Sequence, residues 1–153
     1  MKLQSYVGAN FVGDIDSRKS TIRFVFTLGG TTISWASNLQ KIVTLFTTET
    51  EYVAAIEAGK EMIWVHGFLD ELGKKQEIGI LHSDSSIFLA KNLAFHSKSK
   101  HIQKKYHFIR YLVEDKLVIL EKICGFKNLV DMLTKGVTIE KLKLCVASIG
   151  LLA

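Results

Sequence analysis

Residues 21–37 read TIRFVFTLGGTTISWAS, and the architecture can be worked out from this stretch. Ile22, Phe24, Phe26 and Leu28 alternate with Arg23, Val25 and Thr27, the period of a strand that buries one face. Gly29-Gly30 follows, then a second run from Thr31 to Ser37 that puts Ile33 and Trp35 on one face. Two strands joined by Gly-Gly predict a tight hairpin, because glycine accepts the positive φ such a turn needs. Upstream, residues 5–12 predict a first strand, followed by a polar turn from Asp14 to Ser20. Downstream, Thr48 and Glu51 have capping-box spacing at the start of a long helix. Tyr52, Ile56, Gly59 and Ile63 keep helical spacing, Trp64, Phe68 and Leu72 extend the apolar surface, and Gly73 supplies a stop. Residues 78–83 predict a short strand, and Asp84-Ser85-Ser86 cap a short helix to Asn92. A basic amphipathic helix over 101–115, a strand from Leu117 to Ile123, and short helices near 128–135 and 138–147 complete the chain. A strand meander followed by helix, strand, helix and strand predicts an α/β fold, a mixed sheet with helices packed on it.

The bulk numbers agree with this. At 153 residues the chain is long enough for one domain with a substantial core and needs no disulfide or metal to fold. Cys124 and Cys145 form no CxxC pair, which argues against a disulfide framework and a zinc site. His82, His96 and His101 have no zinc-ligand spacing either. The N-terminal MKLQSYVGANFVGD lacks the apolar core of a signal peptide, and no run of 18 apolar residues exists to span a membrane. A reduced intracellular setting, cytoplasmic or nuclear, is the expectation.

Three carboxylates stand at special places: Glu51 in the first turn of the long helix, Asp84 at the carboxyl end of a strand, and Asp131 near the start of a late helix. In a mixed sheet such positions can converge beyond the strand ends. Converging carboxylates suit magnesium, and two such ions about 4 Å apart can activate water and stabilise the leaving oxygen of a phosphodiester. Each residue also has a purely structural reading: a capping box for Glu51, an N-cap for Asp84, a favourable helix-dipole position for Asp131.

From Ser85 to Val113 there is no acidic residue, while the net charge of the whole chain is +5. Lys98, Lys100, His101, Lys104, Lys105, His107 and Arg110 lie in this stretch, interleaved with Phe95, Tyr106, Phe108 and Tyr111. Cations that displace counterions, with aromatic groups between them, are what a phosphate-facing surface requires. A solvated basic face whose aromatic residues belong to the core is the other reading.

TTETEYVAAIEAGKEMIW (47–64), SDSSIFLAKN (83–92), FHSKSKHIQKKYHFIR (95–110) and VDMLTK (130–135), preceded by GDIDSRKST (13–21) and LGGTTISWAS (28–37), occur in order. Together they resemble the ribonuclease H domain of copia-type retrotransposon Pol polyproteins. The resemblance runs from about Ser5 to Leu144 and implies one domain, 1–153, with a ribonuclease H-like five-stranded mixed sheet. It implies hydrolysis of the RNA strand of an RNA–DNA hybrid, with Mg2+ or Mn2+ held by four carboxylates, and a reverse transcriptase domain in the same polyprotein. Glu51, Asp84 and Asp131 match three of those carboxylates. Glu51 is preferred to Glu49 because EYVAAIEA aligns better with the general ribonuclease H pattern.

The fourth is missing. The family's Asp-Ala-Asp in the first strand is Gly8-Ala9-Asn10 here, so Gly8 stands where the metal-bridging aspartate belongs. Asp14 and Asp16 lie in the turn, several residues beyond that position. Gln103 replaces an aspartate of the family pattern, the segment after Asp84 is about two residues short, and the Pro-Thr before the last motif is absent. The resemblance therefore implies a ribonuclease H domain with weakened metal binding that is inactive or nearly so. Its alternatives are a non-catalytic nucleic-acid-binding module or a retroelement remnant without function.

Overall fold

In the computed structural model, residues 2–11, 15–41, 43–44, 47–83, 100–124, 127–130 and 138–148 are described, with side chains excluded at 47, 48, 100–103, 105 and 106. The elements in chain order are β1 (Leu3–Asn10), β2 (Thr21–Leu28), β3 (Thr31–Leu39), α1 (Thr47–Glu71), β4 (Gly79–Ser83), α2 (Lys100–Glu114), β5 (Val118–Lys122) and α3 (Ile139–Ser148). The strands form one five-stranded sheet in the order β3-β2-β1-β4-β5. β1–β2 and β2–β3 pair antiparallel, whereas β1–β4 and β4–β5 pair parallel. This is the mixed α/β sheet that the meander predicts.

The hairpin turns where Gly-Gly stands. Leu28 pairs with Thr31, leaving a two-residue loop, and Gly29 and Gly30 have φ of 58° and 82°, as a type I′ turn requires. Helix α1 ends as its sequence predicts, on Gly73 at φ 72°. The Gly73 N–H donates to Asp70 O at 2.9 Å and the Lys74 N–H to Leu69 O at 2.9 Å, a Schellman pair that satisfies the last carbonyls. Helix α2 closes in the same way with Lys116 in the left-handed region.

Other expectations shift. β1 runs over 3–10 rather than 5–12, and α1 begins at Thr47, which puts Thr48 inside the helix rather than at its cap. The helix expected at 84–92 lies outside the described residues. Of the one expected near 128–135, the described part is a 3-10 turn at Leu129–Val130. Ile63, Trp64, Phe68 and Leu72 are exposed, with the Trp64 and Phe68 rings stacked at 5.6 Å. The buried stripe of α1 keeps the expected Tyr52 and Ile56 and continues through Met62, Val65 and Leu69. Ile33 and Trp35 on edge strand β3 are exposed as well.

The main core lies between the sheet and the α1–α2 layer. Leu3 and Val7 of β1, with Ile22, Phe24 and Phe26 of β2, meet Tyr52, Ile56 and Met62 of α1 and Ile109 and Leu112 of α2. Tyr6, on the opposite side of β1, packs with Leu129 and Cys145 of the C-terminal segment. β2 is therefore buried on both faces, and Arg23, Val25 and Thr27 are inside rather than in solvent. Among the described residues no helix is long and apolar enough to cross a membrane.

Candidate functional site

A buried hydroxyl cluster ties the start of α1 to the start of β2. The Ser20 hydroxyl lies 3.3 Å from that of Thr50 and 3.5 Å from that of Thr44. The Gln40 side-chain amide donates to Thr50 O at 2.7 Å, and the Gln40 N–H donates to Ser20 O at 2.8 Å. All four side chains are buried, and hydrogen bonds between buried polar groups favour a single geometry. Glu51 follows Thr50 directly and is half-buried, so its backbone position is fixed by this cluster. Glu49 is also in the first turn of α1 and is buried.

On the other side of the sheet, β1 presents Gly8. Its ladder partner across β2 is Arg23, whose side chain is 1% exposed. A Cβ added at Gly8 would meet Val130 Cγ2 at 2.8 Å, Arg23 Nη2 at 3.7 Å and Asn128 Nδ2 at 3.9 Å. Asn128 holds this segment on β1: its side-chain amide donates to Val7 O at 3.1 Å, and its Oδ1 accepts from the Val130 N–H at 3.4 Å. The space above Gly8 is thus filled by a short, stiff valine side chain and lies against a guanidinium. Arginine stays charged at any ordinary pH. Among the described residues this surrounding does not fit a divalent cation, because Gly8 offers no ligand and a guanidinium stands beside it.

The remaining expected ligands are described in part. β4 ends at buried Ser83, which pairs with Val7, one residue before Gly8 in β1. Asp84 follows Ser83 and Asp131 follows Val130 in the chain, and both lie outside the described residues, as does Asp14. Asn10 and Asp16 are exposed. Among the described residues no group of three or more His, Cys, Asp or Glu is placed to hold a metal ion.

The basic face is carried by α2. Lys104, His107, Arg110 and Tyr111 are exposed, while Ile109 and Leu112 on the opposite side of the helix are buried against the core. Lys100, His101 and Lys105 belong to the same helix without described side chains, and Lys98 lies outside the described residues. Arg110 pairs with Glu114 at 2.6 Å on the surface. The aromatic residues divide between roles: Phe108 packs against the core and Tyr111 is exposed.

Near the Gly8 face, His82 of β4 stacks on Tyr6 with ring centroids 4.8 Å apart. Its Nε2 lies 2.9 Å from Gln4 Oε1, and its Nδ1 lies 3.7 Å from Glu121 Oε2. Burial pushes the His82 pKa down, the Glu121 carboxylate opposes that, and Lys2 adds to it. Burial and Glu121 together raise the Tyr6 phenol.

Sequence reasoning missed Arg23, Asn128 and the Ser20–Gln40–Thr44–Thr50 cluster. An arginine opposite the apolar residues of an alternating strand carries the ordinary signal of a solvent face. Only the burial of Val25 and Thr27 on that face reveals otherwise.

No family model matches the chain. It is 47% identical over 151 residues to the Retrovirus-related Pol polyprotein from transposon TNT 1-94 of Nicotiana tabacum, covering 97% of this chain and 11% of that protein. It is 34% identical over 138 residues to the corresponding polyprotein from transposon RE2 of Arabidopsis thaliana, covering 88% of this chain and 10% of that protein. The chain therefore spans about a tenth of the length of these curated relatives. Among solved structures, LC11-RNase H1, isolated from compost by a metagenomic approach, superposes with a TM-score of 0.62 at 20% identity, covering 86% of this chain and 91% of that one. The same enzyme has been solved in complex with an RNA/DNA hybrid, and that structure superposes with a TM-score of 0.60 at 19% identity, covering 83% of this chain and 88% of that one. By sequence, the chain is homologous to a segment of the Pol polyproteins of copia-type retrotransposons, and it has the ribonuclease H fold.

Proposed function

We propose that this chain is a ribonuclease H domain that holds RNA–DNA hybrid, or a related duplex, without cleaving it. The observation that carries the reading is Gly8. It stands on β1 where the family places its first aspartate, and a side chain there would crowd Val130, whose Cγ2 lies 2.8 Å from the position of an added Cβ. Binding is supported separately by the exposed cations of α2, Lys104 and Arg110, and by the basic residues around them in sequence, Lys98, Lys100 and Lys105. The LC11-RNase H1 complex supports hybrid as the ligand class. Glu51, Asp84 and Asp131 are the carboxylates this reading assigns to the former catalytic centre. Mg2+ or Mn2+, which the family would use there, has lost the ligand expected from position 8. In the parent polyprotein the domain's partner is a reverse transcriptase.

Hybrid affinity is to be measured against salt, and cleavage of the same labelled hybrid is to be followed with magnesium and with manganese. If about four phosphates are neutralised, affinity falls on the order of a hundredfold between 50 and 200 mM salt. No cleavage is expected with either metal. Cleavage by the unaltered chain overturns the silent part of the reading. An affinity indifferent to salt overturns the binding part. No binding together with no cooperative unfolding is the mark of a remnant without function.

A further inference from the structure

The resemblance alone locates the lesion at one position, Gly8. The structure gives it a second member. Gly8 and Arg23 are direct ladder partners on neighbouring strands, so their separation is set by backbone hydrogen bonding and not by a side chain's choice of rotamer. Arg23 is 1% exposed. Its Nη2 lies 3.7 Å from the point where a Cβ at position 8 would be. Asn128 and Val130 close over the same point, and Asn128 is itself held to the Val7 carbonyl. This arginine cannot swing into solvent without opening that cover.

We propose that Arg23 takes the place of the divalent cation beside Gly8, so that positions 8 and 23 jointly keep metal out of the site. The inference rests on the ribonuclease H reading above. A guanidinium fixed inside the protein repels any further cation brought close to it, and low local polarity strengthens that repulsion. A carboxylate restored at position 8 would come within reach of Nη2. Arginine binds carboxylates through a planar fork of donors. The new aspartate would then be neutralised by its ladder partner before a metal could use it. Restoring the aspartate alone gives an internal ion pair, and restoring it without the arginine gives a ligand.

The test uses metal affinity of the full chain, without nucleic acid. Each Gly8→Asp protein also carries Val130→Ala, which makes room for the new Cβ and separates space from charge. Three versions are compared by manganese and magnesium titration calorimetry: Arg23 retained, Arg23→Met and Arg23→Lys. Circular dichroism melts with and without manganese follow folding and give a second readout. Arg23→Gln serves as the neutral substitution if Arg23→Met does not melt cooperatively. The neutral version is expected to bind manganese at least about tenfold more tightly than the version with Arg23, in the range by which neighbouring groups alter metal affinity. The manganese-dependent rise in Tm is expected in the neutral version alone. Arg23→Lys, which keeps the charge, is expected to behave like the arginine. Equal manganese affinity with and without the positive charge at 23 overturns the proposal. So does a neutral version that binds metal no better than the unaltered chain. Hybrid binding enters none of these measurements, so its failure would count against the proposed function and leave this result standing.

Discussion

The first two strands have two faces with different characters. Toward α1 and α2 they present Leu3, Val7, Ile22, Phe24 and Phe26, all buried in one apolar cluster. Toward residues 128–130 and α3 the same strands present Tyr6, Gly8, Arg23 and Val25, with His82 of β4 beside Tyr6. The first face is what a core needs and carries no chemistry. The second is largely polar, is buried as well, and holds Gly8, the position to which the proposed reading assigns a lost carboxylate. Hydrophobic burial is roughly proportional to area and indifferent to direction, so the first face can sustain the sheet whatever happens on the second. On the proposed reading, a change from a ligand to glycine on the second face would remove a chemical function while the fold remains.

That contrast can be attacked by mutation. Phe26→Ala on the first face should give the largest effect, about 3–5 kcal/mol of lost stability by urea denaturation, from lost burial and the cavity left behind. Many domains have only about 5–15 kcal/mol in total, so this variant should melt at a much lower temperature. Asn128→Ala on the second face should cost less, about 1–3 kcal/mol, because it strands the Val7 carbonyl and the Val130 N–H in a buried place. If Asn128→Ala were as damaging as Phe26→Ala, the second face would be as much a part of the fold's foundation as the first, and the contrast would fail.

The part of the molecule legible in the sequence is the part governed by local rules. Gly29-Gly30 forces its turn, Gly73 closes α1, and the period-two run over 22–28 is a strand in the place expected. The second face depends on residues far apart in the chain. Arg23 reads as a solvent-facing residue because alternation shows which side chains share a face, not whether anything covers it. The cover is supplied by Asn128 and Val130, more than 100 residues later. The same holds for Glu51: its place in a helix start could be read, but the cluster of Ser20, Gln40, Thr44 and Thr50 that fixes that start joins segments up to 30 residues apart. The exposed ring pair Trp64–Phe68 shows the converse error, since helical spacing names an apolar stripe without saying how wide the covering sheet is.

The smallest expected effect concerns proton uptake on the second face. Burial pushes the His82 pKa below its ordinary value, Glu121 opposes the shift and Lys2 reinforces it. The unfolded imidazole titrates near its ordinary value of about 6.5. Between that value and the lower folded one, the unfolded chain binds more protons than the native chain, so stability rises with pH there. The contribution of His82 is fully present above about pH 6.5 and is lost as pH falls through the folded value. His82→Gln removes the titration and keeps a side-chain amide facing Gln4. Urea midpoints measured from pH 7.5 down to pH 5 should fall more steeply for the unaltered chain than for this variant, with the two curves separating below about pH 6.5. Parallel curves would mean that His82 is not held neutral by its burial against Tyr6. They would also place that end of the second face in contact with solvent, unlike the Arg23 end, where the side chain is enclosed.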